Sequence, residues 1–406
     1  GVQTCALPIY EQTFREAIMK FIHAGDIHLG NPFIGLDAQL PDNLKQLVQQ
    51  STHQAFMKMI NDALTEKVDL LLLPGDFYSA SESSPRLQEL VQSAFLKLNQ
   101  AGIQVFLSLG NHDFEANTSQ HLPWPENVYI FDQHVETTYH TTASGEKIAV
   151  TGFSYQSQRQ MTPVIDEFPT RDQAVDYHLG MYHGAVGVTG EPYAPFKVTD
   201  MLEKGYDYWA LGHIHVRQTL NTRPFIGYSG SIQGLNRKEV GPKGYYIVDA
   251  ANQLRPIFRE AETILWDKLQ LESVKNEDDL QEMINHYRTG TQKNTFLSVE
   301  LLNVQDQVLR ARIDSGIVLE KIREHLPEQV WVVRLTIRDT ELRAFPKDTI
   351  DQAYWLRALE DILTEFRVND YLSDQVPLVL REYFMTHEGK ELLKQKMVQQ
   401  LNEGKG

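Results

Sequence analysis

Cysteine is almost absent from this chain: Cys5 is the single one in 406 residues. One thiol closes no intrachain disulfide and builds no Cys-ligated zinc site, so neither device holds the fold. Long apolar runs are lacking too, and none approaches the ~18 residues needed to cross a bilayer. No positively charged start leads into an apolar core, so a secretory signal is not supported and no membrane partner is expected. The cytoplasm is the expected compartment. Basic charge is also short, with 38 Lys and Arg against 54 Asp and Glu, a net charge of -16. That balance counts against nucleic-acid binding, which usually leaves a basic footprint. The distribution is uneven, however. Residues 217–259 hold seven basic side chains (Arg217, Arg223, Arg237, Lys238, Lys243, Arg255, Arg259) against two acidic ones, Glu239 and Asp249. A basic rim and a scattered solvated surface both fit that stretch. The rest is ordinary. A hydrophobic share of 42% and a charged share of 23% are those of a soluble globular protein, and the length predicts two or three domains.

The opening Gly1-Val2-Gln3-Thr4-Cys5-Ala6-Leu7-Pro8-Ile9 reads as the translation of GGAGTTCAGACGTGTGCTCTTCCGATC, a common sequencing-library adapter. Residues 1–9 are therefore set apart from the fold. Met19 is the expected natural start, with residues 10–18 either native or translated upstream DNA, and the natural chain would then have no cysteine. Sequencing the source gene across this junction is expected to find no codons for residues 1–9. Codons continuous with the genome would overturn this, and Cys5 would need an explanation.

The first half alternates strand and helix patterns. Residues 21–24 form a short apolar run. Ala55, Phe56, Met59, Ile60, Ala63 and Leu64 place one apolar stripe on a helix over residues 52–66. Residues 68–73 read as a buried strand, and Ser84 before Pro85 as a helix start continued by Leu87, Leu90, Val91, Ala94, Phe95 and Leu98. Residues 103–109 give the next strand. Further strands are expected over 148–152, 177–182, 208–211 and 245–249, with a short helix near 198–204. This predicts an α/β domain over 19–260, two sheets packed face to face with helices outside. After Glu260 the pattern changes: strands over 295–302 and 330–337 flank a helix over 317–326, a small α+β accessory domain over 261–342. Pro346 then interrupts the chain. A helical region is expected over 343–406, one helix capped by Asp348 and carrying Ala353, Leu356, Leu359, Leu363 and Phe366, and another over 386–401 with Leu393, Met397 and Leu401 at four-residue spacing.

Five short motifs follow the apolar runs in order: Gly25-Asp26-Ile27-His28, Gly75-Asp76, Gly110-Asn111-His112-Asp113, His183-Gly184 and Gly212-His213-Ile214-His215. Asp26 and His28 are two apart, so on extended backbone both reach one ion. A carboxylate at Asp76 can bridge two ions, although an isolated Gly-Asp is more often a turn. Asn111 offers a neutral carbonyl oxygen. His112 beside it is read as a non-ligand acid, with Asp113 accepting a hydrogen bond from its ring and favouring the imidazolium. Such an imidazolium protonates a leaving alkoxide or stabilises developing charge. His183 alone would be a packed strand histidine; its place between the third and fifth motifs favours a ligand. His213 and His215 share one strand face. Carboxylates, imidazoles and an amide, with no thiolate, suit two hard-to-borderline divalent ions: Mn²⁺ is expected, and Fe or Zn fit the same donors. Two such ions suit attack of a metal-bound hydroxide on a phosphate ester. His23 and His178 read as packed strand residues.

The order and wording of these motifs resemble the calcineurin-like metallophosphoesterases. Phe21-Ile22-His23-Ala24-Gly25-Asp26-Ile27-His28-Leu29-Gly30 is most similar to the SbcD branch of DNA-repair nucleases and its YhaO-type relatives. The resemblance covers Asp26 to His215. It implies a four-layer αββα sandwich with a capping domain beyond it. It assigns Asp26, His28, Asp76 and His215 to a first metal, and Asp76, Asn111, His183 and His213 to a second, with His112 as the acid. It also implies DNA as substrate and an SMC-type ATPase partner, SbcC-like or YhaN-like. One departure concerns the second motif, which those nucleases often continue as Gly-Asp-Leu-Phe followed by His or Asp. Here it runs Gly75-Asp76-Phe77-Tyr78-Ser79, with only a hydroxyl at that place.

The expected function is thus a two-metal-dependent phosphodiesterase, a DNA exonuclease or endonuclease of repair. A phosphatase or cyclic-nucleotide phosphodiesterase with a small substrate is the alternative, and the acidic net charge favours it. An assembly role beside an ATPase would be additional to catalysis.

Overall fold

The computed structural model describes residues 18–33, 40–79, 84–113, 123–288, 293–327, 329–339, 383 and 386–403. The apolar runs become the central strands of two six-stranded sheets. The first has the order β12-β11-β1-β2-β3-β4, built from β1 (Lys20–His23), β2 (Leu70–Pro74), β3 (Gln104–Ser108), β4 (Val128–Ile130), β11 (Gly244–Asp249) and β12 (Arg255–Glu260). Strands β1 to β4 run parallel, while β11 and β12 are antiparallel additions. The second has the order β5-β6-β7-β8-β10-β9, from β5 (Glu136–Thr141), β6 (Lys147–Gly152), β7 (Tyr177–His183), β8 (Tyr208–Gly212), β9 (Gln218–Thr222) and β10 (Phe225–Tyr228). Its four inner strands are parallel.

Side-chain alternation shows how the layers stack, because successive strand residues face opposite ways. Phe21, Leu70, Leu72 and Phe106 meet Ile148, Val150, Leu179, Met181, Tyr208 and Ala210 of the other sheet. Their neighbours Ile22, Leu71, Leu73, Val105 and Leu107 face outward onto Phe56, Met59 and Ile60 of α1 (Asp42–Glu66) and Val91, Phe95 and Leu98 of α2 (Pro85–Gln100). On the far side Tyr182, Trp209 and Leu211 pack with Met201 of α3 (Val198–Lys204) and with Ile165 in a 3₁₀ turn. Three apolar seams therefore separate helix, sheet, sheet and helix layers, the expected αββα sandwich. Buried on both faces, the inner strands read as unbroken apolar runs.

The helix ends follow local chemistry. Ser84 Oγ accepts from the Leu87 amide at 3.3 Å with Pro85 just inside, a cap of about 1 kcal/mol. Helix α1 starts well before the stripe at 52–66. Leu44 and Val48 continue its buried face onto Phe33, Leu40, Ile264, Trp266 and Phe296.

Beyond the sandwich come β13 (Ile264–Glu272), α4 (Glu277–Arg288), β14 (Asn294–Leu302), α5 (Gln307–Asp314), α6 (Ile317–Glu324), β15 (Val330–Arg338) and α7 (His387–Glu403). The three strands form a sheet in the order β13-β14-β15. The chain divides into two compact units, residues 1–269 with 284–299 and 319–334, and residues 270–283 with 300–318 and 335–406. The first unit runs past Glu260 because Ile264, Trp266 and Phe296 complete its apolar cluster with α1. In the second unit, Asp306 caps α5 and Arg310 grips Asp339 through two hydrogen bonds of 2.9 Å. The helix expected after Asp348 lies outside the described residues, as do the side chains of Met397 and Leu401. Among the described residues no helix is long and apolar enough to cross a membrane.

His23 and His178 are packed as expected. His23 Nε2 faces the Leu211 carbonyl at 3.1 Å, so it carries the proton, and Nδ1 accepts from the Tyr208 hydroxyl at 3.0 Å. Burial pulls His23 down to about 4. Burial, with Arg171 nearby, pulls His178 down to about 4 as well. Below about pH 6.5 the unfolded chain takes up protons that these folded rings refuse. Stability from both is then lost between about pH 6.5 and 4, and is intact above that window. Denaturant titrations across this range are expected to show the decline. His23→Gln, which keeps a buried polar group without a titrating ring, reduces the slope; an unchanged slope contradicts the assignment.

Candidate metal centre

All five motifs lie at the strand ends on one edge of the two sheets, and the sequence forces them close. A Cβ on Gly212 would sit 1.8 Å from the Pro74 carbonyl oxygen, so only glycine lets the end of β8 meet the end of β2. A Cβ on Gly110 would lie 2.2 Å from Asp76 Oδ1. The turns are also strained: Asp26, His28, Asp76 and His213 have φ of 50°, 47°, 48° and 102°. Non-glycine residues avoid this region, at a cost of order 1–3 kcal/mol each, and such strain gathers at functional sites. Backbone hydrogen bonds from His28 to Asp76 and from Leu29 to Phe77 lock the first two turns together.

The seven side chains predicted as ligands converge in two groups sharing Asp76. Asp26, His28, Asp76 and His215 offer donor atoms all within 4.8 Å of one another, and so do Asp76, His183 and His213. Asp76 Oδ2 lies 3.6 Å from His28 Nε2 and 3.5 Å from His183 Nε2. Asn111 Oδ1 sits between His183 Nε2 at 3.0 Å and His213 Nδ1 at 3.2 Å. The Nε2 atoms of His28 and His215 face each other at 3.0 Å.

Two observations fit this pocket to cations. Asp26 Oδ1 accepts from the His213 amide at 2.8 Å, but Oδ2 is buried with no hydrogen-bond partner. An orphaned carboxylate oxygen costs free energy unless a charge or donor meets it. The imidazoles, for their part, turn lone pairs inward. His183 Nδ1 donates to the Pro74 carbonyl at 3.0 Å and His215 Nδ1 donates to Glu239 at 3.0 Å, which points each Nε2 into the pocket. Ionisation follows the same logic. Burial pushes Asp26 up to about 6 and pulls His28 and His213 down to about 3. Burial opposes ionisation of Asp76 too, but the surrounding imidazoles of His183, His28 and His112 outweigh it and hold the carboxyl below its usual range. Burial also pulls His215 down, yet the Glu239 hydrogen bond and the Asp26 charge outweigh it and push the ring up to about 9.

His112 stands at the edge of the pocket, its ring 5.1 Å from that of His28 and its amide donating to Asp76 Oδ1 at 2.9 Å. Asp113 differs from expectation. Its carboxylate accepts from the amides of Phe77 (2.9 Å), Tyr78 (2.7 Å) and Gly110 (2.9 Å), and no hydrogen bond joins it to the His112 ring. Burial and the nearby Asp76 charge push Asp113 up to about 7 against the pull of those amides. Asp113 thus pins the second motif to the third and is not the orienting partner of His112. Tyr78 is buried in that junction, and the Ser79 amide donates to the Leu29 carbonyl at 2.9 Å.

The basic stretch does not act as one rim. Lys243 is buried, donating to the His215 carbonyl at 2.7 Å. Arg217 lies over the Phe258 ring at 3.8 Å, and Arg255 pairs across from Asp249 at the end of the sheet away from Asp26. Arg237 and Lys238 are exposed on the turn that ends at Glu239. Sequence reading missed Glu239 and Lys243 as site residues, since neither sits in a motif.

Residues 19–217 match the calcineurin-like phosphoesterase family. YhaO of Bacillus subtilis (strain 168), described as an uncharacterized metallophosphoesterase, is 37% identical over 273 residues, covering 66% of each chain. The DNA double-strand break repair protein Mre11 of Methanocaldococcus jannaschii is 26% identical over 246 residues, 57% of this chain and 62% of Mre11. The D component of the nuclease SbcCD from Staphylococcus saprophyticus is 24% identical over 263 residues, 58% of this chain and 66% of that protein. The chain spans just under two thirds of the length of these relatives. Sandwich and matches agree on a calcineurin-like phosphoesterase domain, and its strand ends carry Asp and His groups that could hold metal ions. Residues 19–217 are thus a calcineurin-like metallophosphoesterase domain.

Proposed function

We propose that this protein is a two-metal phosphodiesterase that cleaves DNA in repair. The observation that carries the reading is Asp76, one buried carboxylate common to both groups of ligand atoms. Asp26, His28, Asp76 and His215 hold the first ion; Asp76, Asn111, His183 and His213 hold the second. Bound divalent ions, Mn²⁺ in this reading, supply Lewis-acid charge for an in-line displacement at phosphorus. His112, outside both groups, delivers a proton to the leaving oxygen. Asp113 fixes the turns that carry Asp76 and Asn111. DNA as substrate is supported by the nuclease and repair names of two relatives, and an SMC-type ATPase is the proposed partner, docking through the helical C-terminal region. The cytoplasm is the proposed compartment.

A substrate panel with Mn²⁺ tests this: linear duplex, single-stranded DNA, bis-nitrophenyl phosphate and nitrophenyl phosphate. Cleavage of DNA and the diester is expected. Turnover of nitrophenyl phosphate alone would favour the small-substrate phosphatase to which the net charge of -16 points.

The exposed Arg237 and Lys238 are the proposed phosphate contacts. Phosphate contacts release counterions, so DNA affinity is expected to fall steeply with salt. Reversing both to Glu is expected to weaken DNA cleavage while sparing the small diester. Equal loss on both substrates would mean that the turn supports the metal site instead.

A further inference from the structure

Two of the inward-facing imidazoles have a group behind them, and the one behind His215 is unlike the one behind His183. His183 rests on a neutral backbone carbonyl, that of Pro74. His215 rests on a carboxylate, Glu239, which is itself buried and fully engaged. Glu239 Oε1 accepts hydrogen bonds from His215 Nδ1 at 3.0 Å and from Asn236 Nδ2 at 2.8 Å. Its Oε2 accepts from Ser231 Oγ and the Leu235 amide, both at 3.1 Å, with Lys243 Nζ 3.8 Å away. The same Lys243 ammonium donates to the His215 carbonyl at 2.7 Å. One residue is thus gripped at ring and backbone by a buried, charge-balanced pair from the segment between β10 and β11. A buried carboxylate with this many donors holds one position, and burying it without a cation would be costly.

We infer that Glu239, backed by Lys243, is a positioning residue that fixes the tautomer and aim of His215 and so tunes the first metal position selectively. This rests on the two-ion reading above. A carboxylate behind a histidine fixes which nitrogen carries the proton and makes the other a stronger ligand, and losing such a partner typically costs 10–100-fold in metal affinity. Glu239's partners are His215, Asn236, Ser231, Leu235 and Lys243, none of them a ligand of the second position, where His183 Nδ1 donates to the Pro74 carbonyl.

The test uses the full chain, stripped of metal and titrated calorimetrically with Mn²⁺. His213→Ala leaves the first ion to be counted, and His28→Ala leaves the second. Adding Glu239→Gln is expected to weaken Mn²⁺ binding about 10–100-fold in the His213→Ala background and to leave it unchanged in the His28→Ala background. Equal weakening in both backgrounds, or none in either, overturns the inference, because a general structural role spares neither position. Should Glu239→Gln unfold the metal-free chain, Asn236→Ala on the exposed turn replaces it. A smaller loss confined to the first ion then supports the role, and no loss refutes it. A wild-type chain that binds fewer than two ions is a separate result: it removes the two-ion reading, and the role of Glu239 with it.

Discussion

Asp76→Asn is expected to lose both ions and, with them, essentially all hydrolysis. Asp76 Oδ2 lies 3.6 Å from His28 Nε2 and 3.5 Å from His183 Nε2, so it faces one imidazole from each ligand group. An amide group put there turns a donor toward two lone pairs and satisfies them without any cation. The other oxygen still accepts from the His112 amide, as Oδ1 does at 2.9 Å, so the turn is kept. The variant therefore folds and stays empty. Metal analysis after dialysis against Mn²⁺, with bis-nitrophenyl phosphate turnover measured alongside, checks this. A variant holding two ions would remove Asp76 from the bridging role.

His112→Ala has the opposite signature. The ring leaves, but alanine keeps the amide that donates to Asp76 Oδ1. Neither ligand group includes His112. Two ions are expected to remain while turnover falls by ~10²–10⁴, the usual worth of a positioned general acid. The loss should shrink for a diester whose leaving group needs no proton, such as nitrophenolate, and be full for DNA. An empty site in this variant would make His112 a ligand and contradict its role.

The contrast between these two residues shows what could be read in the chain. Asp76, Asn111, His183 and the His213–His215 pair, which the structure brings together, stand out in the sequence because each follows an apolar run, and strands buried on both faces announce their ends sharply. The sandwich was legible for the same reason. Asp113 was misread because adjacency suggested His112 as its partner, whereas its hydrogen bonds come from backbone amides, two of them 35 and 36 residues away in sequence. Backbone donors leave no mark on residue identity. Glu239 was invisible on similar grounds: its grip on His215 spans 24 residues and lies in an ordinary polar turn. The start of α1 was missed because Leu44 and Val48 pack onto Trp266 and Phe296, partners far along the chain.

The most direct measurement follows Mn²⁺ binding and linear duplex cleavage together in one metal-free preparation of the full chain. Two ions per chain are expected, with cleavage rising as the second position fills. Cleavage saturating with one bound ion, or proceeding with none, would contradict the two-metal centre built around Asp76.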